Sequence, residues 1–93
     1  MEVTFTLFGI HREKAGTKTH CVQLEHDARV QDALDALVDD ISSLEGYLFD
    51  DSGRLREDVV VMVEGENISH RQGVATALAA DSELHIVHQI HGG

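Results

Sequence analysis

Proline and tryptophan are missing from this chain, cysteine occurs once, and the aromatic residues are limited to Phe5, Phe8, Tyr47 and Phe49. Without proline there is no collagen-like or polyproline segment. With so few rings the core has to be aliphatic. A lone Cys21 excludes an internal disulfide framework and any four-thiolate zinc or iron–sulfur site. No apolar run approaches the roughly 20 residues that a membrane-spanning helix needs. Residues 1–8 begin acidic and alternate polar with apolar, unlike a signal peptide, so a cytoplasmic location is expected.

Basic residues are also scarce. Seven Lys and Arg face seventeen Asp and Glu, a formal charge of −10. Nucleic acid and anionic membranes both require a basic face, so neither is an expected partner. Of the basic residues only Lys14 and Lys18 are lysine. A dense acidic surface with little lysine resembles the proteins of halophilic archaea. There, self-repulsion keeps the chain soluble and molar salt shortens the Debye length to about 3 Å.

What is present is enough for one core. A 93-residue chain buries about 64% of its unfolded surface without staples, and a hydrophobic share of 42% is ordinary for a folded domain. Residues 2–8 alternate, with Val3, Phe5 and Leu7 on one side and Thr4, Thr6 and Phe8 on the other, which predicts a half-buried strand. Residues 9–16 read as a polar connection punctuated by a glycine at each end. Residues 17–25 predict a second strand, paired with the first as a hairpin.

The period then changes. Val30, Ala33, Leu34, Leu37, Val38 and Ile41 form a helical stripe, with Asp32, Asp35, Asp39 and Asp40 opposite. Asp27 is a candidate cap, and Arg29, nearer the pattern, is a poor one. Leu44, Tyr47, Leu48 and Phe49 suggest a further helical turn. Residues 59–63 form an uninterrupted β-branched run, a central strand by its length. Residues 68–80 give no clear signal, and residues 83–90 form a last strand. Two strands, a helix and further strands predict an α+β fold of the β-grasp type: a mixed sheet of four to five strands on one main helix. One domain over residues 1–90 and a flexible reactive tail over 91–93 are expected.

Candidate chemistry is sparse. His85, His88 and His91 are spaced by three, a metal face if helical. On a strand His88 points away from the other two, which then lie about 20 Å apart, so no metal site is expected. Cys21 has no neighbour in sequence to lower its pKa on its own face and reads as an unreactive strand residue. The acids pair nowhere in a way that suggests acid–base chemistry, and no glycine-rich phosphate loop follows a strand.

The end of the chain is different. Two terminal glycines arise by chance in about half a percent of chains. They can thread a channel too narrow for side chains, on a tail over residues 89–93 that reaches about 16 Å when extended. The functional reading is that the carboxylate of Gly93 is the reactive group, with Gly92 and His91 as the threading segment.

These features together resemble the ubiquitin-like sulfur carriers and modifiers, in particular the small archaeal modifier proteins, relatives of the molybdopterin synthase small subunit and the thiamine sulfur carrier. The resemblance rests on Leu7-Phe8, Arg12-Glu13 and Ala15-Gly16, on Val30-Gln31-Asp32-Ala33-Leu34 with Leu37, on Gly73-Val74 and Thr76-Ala77-Leu78 followed by Asp81 and Glu83-Leu84, and on Gly92-Gly93. The family often has a Pro-Pro pair and a small residue before Gly-Gly; here residues 87–91 read Val-His-Gln-Ile-His.

The resemblance implies that an E1-like enzyme binds the exposed sheet face, through Phe8 and Val87, and adenylates Gly93 with ATP. Sulfur transfer then gives a thiocarboxylate, or a target lysine attacks to give an isopeptide bond. It further implies no bound cofactor and no catalysis by the chain itself. The alternatives are a dedicated small subunit inserting its tail into a molybdopterin synthase large subunit, and a ubiquitin-like module that never reacts.

Overall fold

A computed structural model describes residues 1–89. Strand β1 (Glu2–Leu7) is followed by helix α1 (Gly9–Ala15), strand β2 (Thr19–Gln23) and helix α2 (Val30–Asp40). A 3₁₀ turn at Ser42–Leu44 leads into helix α3 (Glu45–Leu48), and strands β3 (Val59–Val63), β4 (Glu66–Asn67) and β5 (Glu83–His88) complete the order.

The five strands form one mixed sheet in the order β2-β1-β5-β3-β4. β1 pairs antiparallel with β2 and parallel with β5, while β3 pairs antiparallel with both β4 and β5. This is the β-grasp arrangement read from the sequence.

Alternation along the strands decides which side is buried. Val3, Phe5 and Leu7 of β1, Val61 and Val63 of β3, and Leu84 and Ile86 of β5 all face the core. They meet the α2 stripe of Val30, Ala33, Leu34 and Leu37, each fully buried. Burying a Val, Leu or Phe side chain contributes about 1.5–3 kcal/mol. Leu44 and Leu48 close one end of the same cluster.

The start of α2 corrects one expectation. Asp27 is not its cap; Arg29 occupies the N-cap position with an extended backbone. Its guanidinium has no acceptor for the first-turn amides. The compensation comes from inside the helix, where the carboxylate of Asp32 accepts the Arg29 backbone N–H at 2.8 Å. An anion in the first turn also suits the helix dipole.

Residues 9–16 are a second correction. They form α1 and not a polar connection. Its C-cap Gly16 takes a left-handed φ of 75°, and the Gly16 N–H bonds the Arg12 carbonyl, an ending that favours glycine. Only His11 of this helix is buried, so no apolar stripe announces it. Residues 68–80 carry two 3₁₀ turns, Ile68–His70 and Gly73–Ala75.

Candidate functional site

The other face of the sheet is, among the described residues, half-buried to exposed. β1 presents Thr4 and Thr6 there, β2 Thr19 and Cys21, β3 Val60 and Met62, and β5 His85 and Val87, since each alternates with a core-facing neighbour. The register sets Thr6 beside His85, His85 beside Met62, and Val87 beside Val60. Val60, Met62 and Val87 are half-buried.

Phe8, just past the end of β1, is 40% exposed. Its ring meets His85 edge to face at 5.5 Å between centroids, a favoured aromatic geometry. The outcome is an apolar strip of Phe8, Val60, Met62 and Val87, bordered by threonines and one histidine. An apolar centre with a polar rim is the anatomy of a protein-docking surface. Phe8 and Val87 stand on this strip. His85, one of the three spaced histidines, joins them, as do Val60 and Met62, which were not singled out in the sequence. An uninterrupted run such as Val-Val-Val-Met-Val does not distinguish its two faces.

A polar cluster lies where β5 ends. Asp58 accepts two hydrogen bonds from Arg56, each at 3.0 Å. The same carboxylate pairs with His88 Nε2 at 3.2 Å, and the Asp58 carbonyl accepts the Gln89 N–H at 2.7 Å. The Arg56 hydrogen bonds, and then that of His88, hold the Asp58 carboxyl well below the usual carboxylate range. Asp58 in turn raises the Arg56 pKa.

Arg56 also ties this cluster to α3, donating from its side chain to the Gly46 carbonyl at 3.2 Å and from its backbone to the Leu48 carbonyl at 2.8 Å. The carbonyl between them, that of Tyr47, accepts His11 Nε2–H at 2.8 Å. The end carbonyls of a helix have no partner within it, and α1 and Arg56 together supply them. Because a carbonyl only accepts, His11 is the Nε2–H tautomer. Its Nδ1 is buried without a hydrogen-bond partner among the described residues, and burial lowers its pKa.

The ThiS family signature matches residues 5–93. The chain belongs to the ThiS family. Small archaeal modifier protein 1 of Haloferax volcanii is 38% identical over 87 residues, spanning 94% of this chain and 95% of that protein. Small archaeal modifier protein 3 of the same organism is 31% identical over 93 residues, covering both chains fully. The crystal structure of SAMP1 from Haloferax volcanii superposes with a TM-score of 0.92 at 35% identity, covering both chains fully. The fold is therefore the ubiquitin-like β-grasp of this family, and its Haloferax relatives agree with the halophile-type composition.

Within this ThiS-family chain the end expected to react, His91, Gly92 and Gly93, lies outside the described residues. What is described is its approach: Val87 on the open face, then His88 and Gln89 held at Asp58. Of the three spaced histidines, His85 is on the open face and His88 has the parity of core-facing Leu84 and Ile86; His91 is outside the described residues. Cys21 is exposed and lies 3.4 Å from the Thr4 hydroxyl. Among the described residues no helix is long and apolar enough to cross a membrane.

Proposed function

We propose that this chain is a ubiquitin-like protein modifier and sulfur carrier, acting through the carboxylate of Gly93. An E1-like enzyme docks on the open sheet face, across Phe8, Val60 and Val87, while His91 and Gly92 thread into its ATP site. The observation that supports this reading is the half-buried apolar strip on the sheet face opposite the core, which reaches Val87 near the end of β5, in a chain of the ThiS family.

A carboxylate resists nucleophiles because its oxygen is a poor leaving group. Attack of the Gly93 carboxylate on the α-phosphorus of ATP releases pyrophosphate and leaves an acyl-adenylate. A sulfur donor then displaces AMP to give a thiocarboxylate, or a target lysine displaces AMP to give an isopeptide bond. In both branches this chain is the group carried and ATP is consumed by the enzyme.

The test is ATP–pyrophosphate exchange by a cognate E1-like enzyme, with the full chain and with a chain lacking Gly92 and Gly93. Exchange that depends on the two glycines supports the reading, and exchange that survives their removal refutes it. Conjugation is separated from sulfur carriage by trypsin. The last basic residue is Arg71, so a conjugated lysine keeps the 22-residue branch 72–93 and escapes a search for Gly-Gly remnants. With His91→Arg the same lysines carry the short remnant. If that variant is activated normally and no such lysine appears, conjugation is excluded under those conditions and sulfur carriage becomes the leading reading.

A further inference from the structure

We propose that Asp58 is a positioning residue for the C-terminal tail, fixing the backbone at His88 and Gln89 from which residues 90–93 depart. This rests on the reading of Gly93 as the reactive end. Asp58 is the last residue before β3, and β3 and β5 run antiparallel with Val59 opposite His88. It therefore stands one step past the end of the ladder, where β5 loses its partner strand.

Two different parts of Asp58 hold the two residues there. The carbonyl takes the Gln89 N–H at 2.7 Å, extending the ladder by one bond. The carboxylate takes His88 Nε2 at 3.2 Å. The carboxylate is itself held by Arg56 in a two-pronged pair, a geometry that fixes orientation as well as charge. Arg56 is anchored on the Gly46 carbonyl of α3. The chain of contacts thus runs from α3 through Arg56 and Asp58 to the last two described residues.

None of these contacts contributes much to global stability, because the carboxylate and both partners are solvent-exposed in part and such pairs contribute little. Their effect is local. Holding two residues at the root of a short tail reduces the conformations that must be given up when the tail enters a narrow channel. Ordering of that kind is a recognised cost of binding.

The experiment uses the ¹⁵N-labelled full chain and the variants Asp58→Ala, His88→Ala and His88→Gln. Two quantities are read: the heteronuclear NOE of the Gln89 amide, and KM and kcat for adenylation by the E1-like enzyme. Asp58→Ala and His88→Ala are expected to lower the NOE and to raise KM up to about tenfold, the effect of about 1.4 kcal/mol, with kcat changed little. His88→Gln keeps an N–H donor and should recover most of the His88→Ala loss.

An unchanged NOE in both alanine variants overturns the proposal, whatever the kinetics. So does a lowered NOE with an unchanged KM. If the unaltered chain is not adenylated at all, the reading of Gly93 fails separately, and the NOE alone decides whether Asp58 holds the tail root.

Discussion

The two faces of the sheet are made from the same strands, residue by residue in alternation, yet they differ in kind. Toward α2, Phe5, Leu7, Leu84 and Ile86 are fully buried within one apolar cluster. On the opposite face Thr4, Thr6, His85 and Cys21 share the surface with Val60, Met62 and Val87, which are covered only in part. The first face supplies stability by removing apolar area from water. The second keeps apolar area at the surface, where it can be removed from water only by a partner. The contrast explains how β5 serves both ends: Leu84 and Ile86 fasten it into the core, and His85 and Val87 present it outward.

The largest effect should come from truncating the core side. Leu34→Ala or Leu37→Ala is expected to cost about 2–5 kcal/mol, read by urea denaturation. Met62→Ala or Val87→Ala, on the open face, should cost less than about 1 kcal/mol. Comparable losses on both sides would erase the distinction between the faces.

Salt should come next. With a charge of −10, the melting temperature is expected to rise from low to molar KCl as repulsion is screened. Each kcal/mol gained corresponds to about 4–8 °C for a chain this size. A flat or falling curve contradicts the halophile assignment.

A smaller, pH-dependent effect is expected at His11, beside the core. Its folded pKa lies below the ordinary 6.5 because burial disfavours the imidazolium. The unfolded chain therefore binds the proton more readily. The stability associated with neutral His11 is complete above about pH 6.5 and declines as pH falls through that value toward the folded pKa. His11→Gln keeps a donor for the Tyr47 carbonyl and cannot titrate, so its melting temperature should fall less than that of the unaltered chain between pH 7.5 and 5.5. Identical slopes would remove His11 from the account.

The smallest change in stability is expected for Phe8→Ser, which removes an exposed ring. It should nevertheless weaken binding to the E1-like enzyme, measured by calorimetry. Unweakened binding would move the docking surface off this face.

The sequence made the core side legible because period and burial coincide there. Val3, Phe5 and Leu7 alternate, and Val30, Ala33, Leu34 and Leu37 keep helical spacing. Three features escaped it. Helix α1 buries only His11 and so shows no stripe, and its glycine boundary looks the same as a loop's. The open face depends on register: Val60 and Met62 come to lie beside Val87 and His85 only through β3–β5 pairing, a contact between residues more than twenty positions apart. The Asp58 cluster is hidden for the same reason, since His88 is 30 residues from it. Gly92 and Gly93 were singled out by their position in the sequence alone and lie outside the described residues.

Gly93 is proposed as the end on which the chemistry happens, and intact and fragment mass of the chain purified from its native cells reads this out. The account predicts a population altered only at Gly93, either with one carboxylate oxygen replaced by sulfur or with the carboxylate joined to a lysine of another protein. A chain whose Gly93 is always an unmodified carboxylate, including after incubation with ATP, a sulfur donor and its E1-like enzyme, would contradict it.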